Sequence, residues 1–255
     1  TGAGSTNALS GIAGAWVDSI PVIVVSGQVR RELIADYSKF RQIGPQEINI
    51  DGMAQPVTKY FTTIMDPSSI RYELEKAVAI ATSGRPGPVW INIPLDVQCT
   101  TIDESTLIGF DRLKVDGAFE KLQVVIQAKR VMELLLESRR PMLIVGNGIH
   151  LANSTTRFRD VVTKLKVPVS LTIGGIDLLP ESNSYFVGRF GPIGQRRANF
   201  AVQNADLILA LGTSLSLSTV GFNTEAFAPH AKKVMVNVDQ YEMEKARPIP
   251  NIAIA

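Results

Sequence analysis

Glycine turns that follow short apolar runs are the segments of this sequence best suited to chemistry. Gly146-Asn147-Gly148, Thr172-Ile173-Gly174-Gly175, Gly212-Thr213-Ser214 and Asn237-Val238-Asp239 all stand where a buried strand would end. Glycine lets backbone N–H groups approach a phosphate, and an acidic residue at a strand end can accept from a ribose hydroxyl. The chemistry implied is nucleotide binding. A single such turn says little, because tight βα turns use glycine anyway, but several on one sheet edge strengthen the ligand reading. Gly188-Arg189-Phe190-Gly191-Pro192-Ile193-Gly194 reads as a further glycine-rich loop beside Arg196 and Arg197. Those arginines suit either an anion clamp or a solvated helix face. A different turn, Gly2-Ala3-Gly4-Ser5-Thr6-Asn7, opens a helical pattern with no strand before it.

Other polar candidates are Ser26-Gly27-Gln28 at a strand end, the pair Gln46-Glu47, and Lys59. Each taken singly reads as structural, since surface Lys and Glu are ubiquitous. His150 follows a glycine turn and His230 falls in a loop, and neither has the sequence neighbours of a catalytic triad. Two His and one Cys make a zinc site a poor expectation.

The elements that must position these residues alternate. Ala8 to Ser19 has helical spacing at Leu9, Ile12, Ala13, Trp16 and Val17. Val22 to Val25 is a continuous apolar run, as suits a strand buried on both faces of a parallel sheet. Arg30 to Pro45 reads as a polar loop or lid, Glu47 to Ala54 as a short helix, and Val57 to Ile64 as a strand. Asp66-Pro67 opens a helix to Thr82, and Val89 to Pro94 is the next strand. Residues 95–117 lack a period and read as a linker. A second alternating set follows. Helices are expected over Phe119–Ser138, Ser154–Leu165 and Gln195–Gln203, and strands over Met142–Val145, Val167–Ile173, Asp206–Leu211 and Lys233–Val238. The fold class is therefore α/β, with two parallel-sheet three-layer domains.

Composition sets limits. The chain has 255 residues, 45% of them hydrophobic, which is enough for two domains with proper cores. Its net charge is +2 and it has no Lys/Arg block, so a nucleic-acid partner is not expected. No apolar run approaches the ~20 residues that span a bilayer, so no membrane partner is expected either. Cys99 is the only cysteine, which precludes an internal disulfide and points to a reducing, cytoplasmic setting.

The order of motifs carries a resemblance. Gly2-Ala3-Gly4-Ser5-Thr6-Asn7, Asp18-Ser19-Ile20-Pro21, Ser26-Gly27-Gln28-Val29, Thr82-Ser83-Gly84-Arg85-Pro86-Gly87-Pro88-Val89 and Ile93-Pro94-Leu95-Asp96-Val97-Gln98 follow one another. Arg139-Arg140-Pro141 and Ile144-Val145-Gly146-Asn147-Gly148 come next. The set resembles the thiamine-diphosphate-dependent enzymes of the acetolactate synthase (acetohydroxyacid synthase) group. The resemblance implies that residues 1–100 are the later part of a pyrimidine-binding domain, 101–117 a linker, and 118–255 a Rossmann-like central domain. It implies a 2-keto acid carboligase or decarboxylase that decarboxylates pyruvate and transfers the acyl carbanion to a second carbonyl. Thiamine diphosphate and Mg2+ would serve the full-length parent, as a homodimer or homotetramer.

The family's catalytic glutamate lies upstream of the first turn and its diphosphate domain downstream, and neither occurs here. The chain is therefore expected to be a fragment with an incomplete first sheet and an exposed edge, inactive alone and holding no metal ligands. Carried over by resemblance, Gly2, Gly4 and Asn7 belong to the turn near the pyrimidine ring, with Ala3 in place of the usual proline. Gln46 matches an active-site glutamine and Lys59 a lysine near the substrate entrance. Gly146, Gly148, Thr172, Gly174, Gly212 and Asp239 match dinucleotide-contacting turns of the central domain. Flavin-binding members carry an arginine and acidic residues after the glycine at Gly212, where this chain has Thr213-Ser214-Leu215-Ser216. FAD or ADP is the expected central-domain ligand, and that departure counts against FAD and in favour of an ADP-like ligand or an empty pocket. The alternative is a non-catalytic FAD/ADP-binding or structural module. An NAD-dependent dehydrogenase is disfavoured, because no acid–base residue accompanies a Gly-x-Gly-x-x-Gly turn.

Overall fold

A computed structural model describes residues 2–114, 121–245 and 252–254. Its contacts divide the chain into two units, residues 1–118 and 119–255. In the first, a 3-10 helix over Gly2–Ala8 runs into α1 (Leu9–Val17). There follow β1 (Ile23–Gln28), α2 (Ile50–Ala54), β2 (Tyr60–Thr63), α3 (Ile70–Thr82), β3 (Val89–Pro94) and α4 (Leu95–Gln98). The three strands are parallel in the order β1-β3-β2.

The central place of β3 explains its composition. Successive side chains of a strand point to opposite faces, so a strand covered on both must be apolar throughout. Val89 and Ile91 pack on one face with Ile64, Ala77 and Ala81, while Trp90 packs on the other with Ile12, Ile50 and Ala54. Trp90 is fully buried, and its indole N–H donates to Ser26 Oγ at 2.7 Å. Ser26 Oγ in turn donates to Asn92 Oδ1 at 2.8 Å, so polar groups within the sheet satisfy one another. At the edge of this sheet, β1 leaves Ile23 and Val25 exposed.

Local chemistry trims several expected elements. The strand expected from Val57 begins at Tyr60, because Gln55–Val57, with Pro56, forms a 3-10 turn. Asp66 opens the next helix as expected: its carboxylate accepts from Ser68 N at 2.9 Å, and one 3-10 turn precedes α3. Residues 95–114 contain α4 and two short 3-10 turns. The backbone N–H of Phe110 donates to Glu75 of α3 at 2.7 Å, and the Phe110 ring meets Tyr72 edge-on at 5.3 Å.

The second unit comprises α5 (Lys121–Glu137), β4 (Pro141–Val145), α6 (Gly148–Leu151), α7 (Thr155–Leu165), β5 (Val169–Leu171) and β6 (Phe186–Arg189), then α8 (Arg196–Gln203), β7 (Leu207–Leu211), α9 (Leu217–Val220), β8 (Lys232–Val236), α10 (Gln240–Lys245) and β9 (Ile252–Ile254). All six strands are parallel in the order β6-β5-β4-β7-β8-β9. The chain enters at β4, steps outward to β6, then returns to β7 and steps outward the other way. The reversal between β4 and β7 is the switch point of a doubly wound sheet. Leu143, Val145, Leu207 and Leu209 face Phe158 and Val162 of α7, whereas Met142, Ile144, Ile208 and Ala210 face Ala198 and Val202 of α8.

The expected strand over Val167–Ile173 is shorter, because Ile173–Gly175 turns as a 3-10 helix. Gly188 and Arg189, expected in a loop, belong to β6, where Ser170 Oγ donates to Gly188 O at 2.8 Å. The expected start of α5 at Phe119 lies outside the described residues, as do Thr1, Asn251 and Ala255.

Candidate functional site

The second unit gathers its glycine turns at the carboxyl ends of β4, β5 and β7. Gly146 N donates to Leu211 O at 3.0 Å, Gly148 N to Gly212 O at 2.9 Å, and Thr172 N to Val145 O at 2.9 Å. A Cβ on Gly148 would stand 2.5 Å from Gly212 Cα, and one on Gly212 would stand 2.7 Å from Gly148 Cα. A Cβ on Gly146 would meet Gly212 O at 2.6 Å and Thr172 Oγ1 at 3.1 Å. Gly212 also has φ +57. These three glycines are required by backbone-on-backbone contact across the switch point, whatever ligand binds there. Gly174 lies beside Asn147, with its hypothetical Cβ 3.2 Å from Asn147 Cβ. Among the described residues, the backbone N–H groups of Asn147 and Thr213 donate to no protein acceptor. Asp239 Oδ1 accepts from Tyr241 N at 2.9 Å at the start of α10.

The arginines near this edge are engaged elsewhere. Arg197 pairs with Glu181 at 2.9 Å, and Arg196 stacks over Phe200 at 5.2 Å. His150 has the partners its sequence neighbours did not reveal. Its Nε2 lies 2.8 Å from Asp177 Oδ1, and its Nδ1 3.3 Å from Thr155 Oγ1. That hydrogen bond holds the exposed Asp177 carboxyl below its usual range.

The carboxyl edge of the first sheet is built from Gly2, Gln28 and the segment that follows β1. Gly2 has φ +53 and Gln46 φ +61. A Cβ on Gly2 would fall 1.6 Å from Gln46 O, so only glycine fits against that carbonyl. Gly4 is open, with nothing within 4 Å of a Cβ position, and Asn7 is exposed. Buried Gln28 ties both ends of the segment, receiving Val29 N at 3.0 Å and donating to Ile48 O at 3.3 Å. Glu47 accepts from the backbone of Ala35, Ile43 and Gly44. Burial pushes its carboxyl up, but these donors and the Tyr37 hydroxyl outweigh that and hold it below the usual range. Asp51, half-buried nearby on α2, is pushed up by burial.

The structure thus brings Gly2 and Gln46 together and sets Lys59 apart. Lys59 precedes β2, at the amino end of the sheet. Its Nζ donates to the carbonyls of Ile80 (2.5 Å) and Ser83 (2.7 Å), at the C-terminus of α3. Burial pulls its ammonium below the usual lysine range. Sequence reasoning missed the Arg31–Asp96 pair. Arg31 Nε donates to Asp96 at 2.6 Å and its Nη1 to Met65 O at 2.7 Å, joining the segments that follow all three strands. With the two 65 positions apart in sequence, no local pattern could have signalled the pair.

Comparison with known proteins follows this geometry. Residues 1–54 match the family described as thiamine pyrophosphate enzyme, N-terminal TPP binding domain, and residues 128–255 match its central domain. The chain is 32% identical over its whole length to acetolactate synthase isozyme 1 large subunit of Escherichia coli (strain K12), spanning 43% of that protein. It is 35% identical over 96% of its length to a probable acetolactate synthase large subunit of Methanocaldococcus jannaschii, spanning 40% of it. It is also 32% identical over its whole length to chloroplastic acetolactate synthase 3 of Brassica napus, spanning 37%. The chain therefore spans about two fifths of the curated relatives it matches.

Proposed function

The chain belongs to the thiamine pyrophosphate enzyme family, and on that premise we propose that it forms the pyrimidine-side and central portion of a thiamine-diphosphate-dependent 2-keto acid carboligase of the acetolactate synthase type. The observation that carries this is the order of the two family matches along the chain, together with the Gly2–Gln46 contact at the carboxyl edge of the first sheet. Bound thiamine diphosphate would supply the chemistry that decarboxylates a 2-keto acid and passes the remaining acyl unit to a second carbonyl.

The contribution of this chain is positional. Gly4, with nothing within 4 Å of a Cβ position, and the exposed Asn7 leave room for a flat ring, while buried Gly2 packs against Gln46. Gln46 is exposed beside it and can donate or accept through its amide. In the second unit, the free backbone N–H groups of Asn147 and Thr213 and the hydroxyl of Thr172 fit the pyrophosphate of an ADP-like ligand. Thr213–Ser216 lacks the arginine and acidic residues that flavin-binding members carry after that glycine, and on that departure from the resemblance we place ADP before FAD. Magnesium and a homodimer or homotetramer rest on the resemblance alone, and a cytoplasmic setting rests on the single cysteine. No helix among the described residues is long and apolar enough to cross a membrane.

The full-length protein should consume pyruvate only when thiamine diphosphate and Mg2+ are supplied. Failure to turn over any 2-keto acid with both present would overturn the proposal. Calorimetry tests the second unit, with heat expected from ADP and little from FAD.

A further inference from the structure

We propose that Glu47 is the positioning residue of the first unit's carboxyl edge: its buried carboxylate fixes the segment from Ala35 to Gln46, and thereby holds Gln46 in its left-handed conformation against Gly2. The proposal rests on the function above only in taking that edge as the reacting one.

Glu47 is 5% exposed, and both its oxygens are occupied. Oε1 accepts from Ala35 N, twelve residues earlier. Oε2 accepts from Ile43 N at 2.7 Å and Gly44 N at 2.9 Å. The Tyr37 hydroxyl lies beside the carboxylate and donates to Ile48 O at 3.1 Å. Glu47 N closes the same turn onto Gly44 O at 3.4 Å. The segment has no sheet or long helix of its own, so these bonds, together with those of Gln28 to Val29 and Ile48 on either side, hold it in one shape.

Gln46, next in the chain to this anchor, adopts φ +61, a conformation that residues with a Cβ rarely take. Such a conformation persists only where its surroundings over-determine it. Here the carboxylate fixes the chain on one side of Gln46 and Gly2 bounds it on the other. The carboxylate matters chemically, because it only accepts. Glutamine has the same shape but replaces one acceptor oxygen with an NH2 donor. Whichever way that amide turned, at least one backbone N–H of Ala35, Ile43 or Gly44 would face a donor.

The test uses the full-length protein, with Glu47→Gln, Gln46→Ala and the double variant. Amide hydrogen exchange at Ala35, Ile43 and Gly44 should accelerate by at least about tenfold in Glu47→Gln, the scale of one lost hydrogen bond to a charged group. The kcat/KM for the 2-keto acid should fall by about tenfold in the wild-type background. It should fall by less than about twofold in the Gln46→Ala background, because the effect runs through Gln46. Unchanged exchange, or an equal loss of kcat/KM in both backgrounds, overturns the proposal. Should Glu47→Gln fail to fold, Tyr37→Phe leaves the carboxylate in place and is read in the same way, with a smaller effect that also vanishes with Gln46→Ala. Absence of turnover in the wild-type protein removes the functional reading alone. The exchange measurement still decides whether Glu47 holds the segment.

Discussion

Gly148 and Gly14 are both glycines within helices, and they should respond oppositely to a methyl group. A Cβ on Gly148 meets Gly212 Cα at 2.5 Å, and Gly212, just past β7 and tied by its N–H to Val236 O at 3.0 Å, cannot readily move aside. Gly148→Ala should cost about 2–4 kcal/mol, read as a lower denaturation midpoint, the range of overpacking and its backbone shifts. Gly14 on α1 has nothing within 4 Å, so Gly14→Ala should stabilise by about 0.5–1 kcal/mol through helix propensity. The sequence could not separate these cases. A glycine that admits a ligand and one that admits another backbone are the same letter, and only the distances distinguish them. Glu47 gives a pH prediction. Its folded carboxyl lies below the ordinary value of 4.5, so its contribution is complete above about that pH and is lost as the pH falls through the lower folded value. Acid unfolding followed by circular dichroism should therefore be shallower in Glu47→Gln over that window. The Gln46-Glu47 pair was visible as a candidate in the sequence. Its division of labour was not, because the three donors to Glu47 come from loop positions with no period.

At the scale of elements, continuous apolar runs declared β4 and β7, and a run broken only by Asn92 declared β3, since a strand buried on both faces admits a polar residue only where a partner satisfies it. The edge strand β6 gave no such signal. It has four residues, one of them Gly188 with φ +108, and it read as a loop. Pro56 shortened β2 for a local reason that the run of apolar residues masked. Lys59, which by resemblance matches a lysine near the substrate entrance, donates to carbonyls at the end of α3, where a cation also complements the helix dipole. Lys59→Ala should destabilise by about 1–2 kcal/mol, by leaving half-buried carbonyls without that donor. Thermal denaturation of the purified variant checks this. Trp90→Ala should cost about 3–5 kcal/mol, since it empties a fully buried site and strips Ser26 of a donor.

At the scale of the whole molecule, each unit has its own sheet and its own pair of clusters, one on either face. The alternation of runs and helices made both sheets legible. The strand order was not legible, because it depends on contacts between residues far apart in sequence. The six-stranded unit should hold its helical signal when residues 119–255 are expressed alone. The three-stranded unit, with Ile23 and Val25 exposed on an edge strand, should self-associate when isolated. Analytical ultracentrifugation of the two pieces distinguishes them.

The burial of Trp90 has an optical consequence. The protein has two tryptophans, Trp16 and Trp90, and both belong to the first unit. Trp90 is wholly enclosed with its indole N–H bonded, whereas Trp16 is 40% exposed. Iodide should therefore quench one emitter and spare the other, bluer one. Because the second unit has tyrosines but no tryptophan, tryptophan-selective excitation watches the first unit alone, and its divergence from ellipticity during unfolding would time the two units separately.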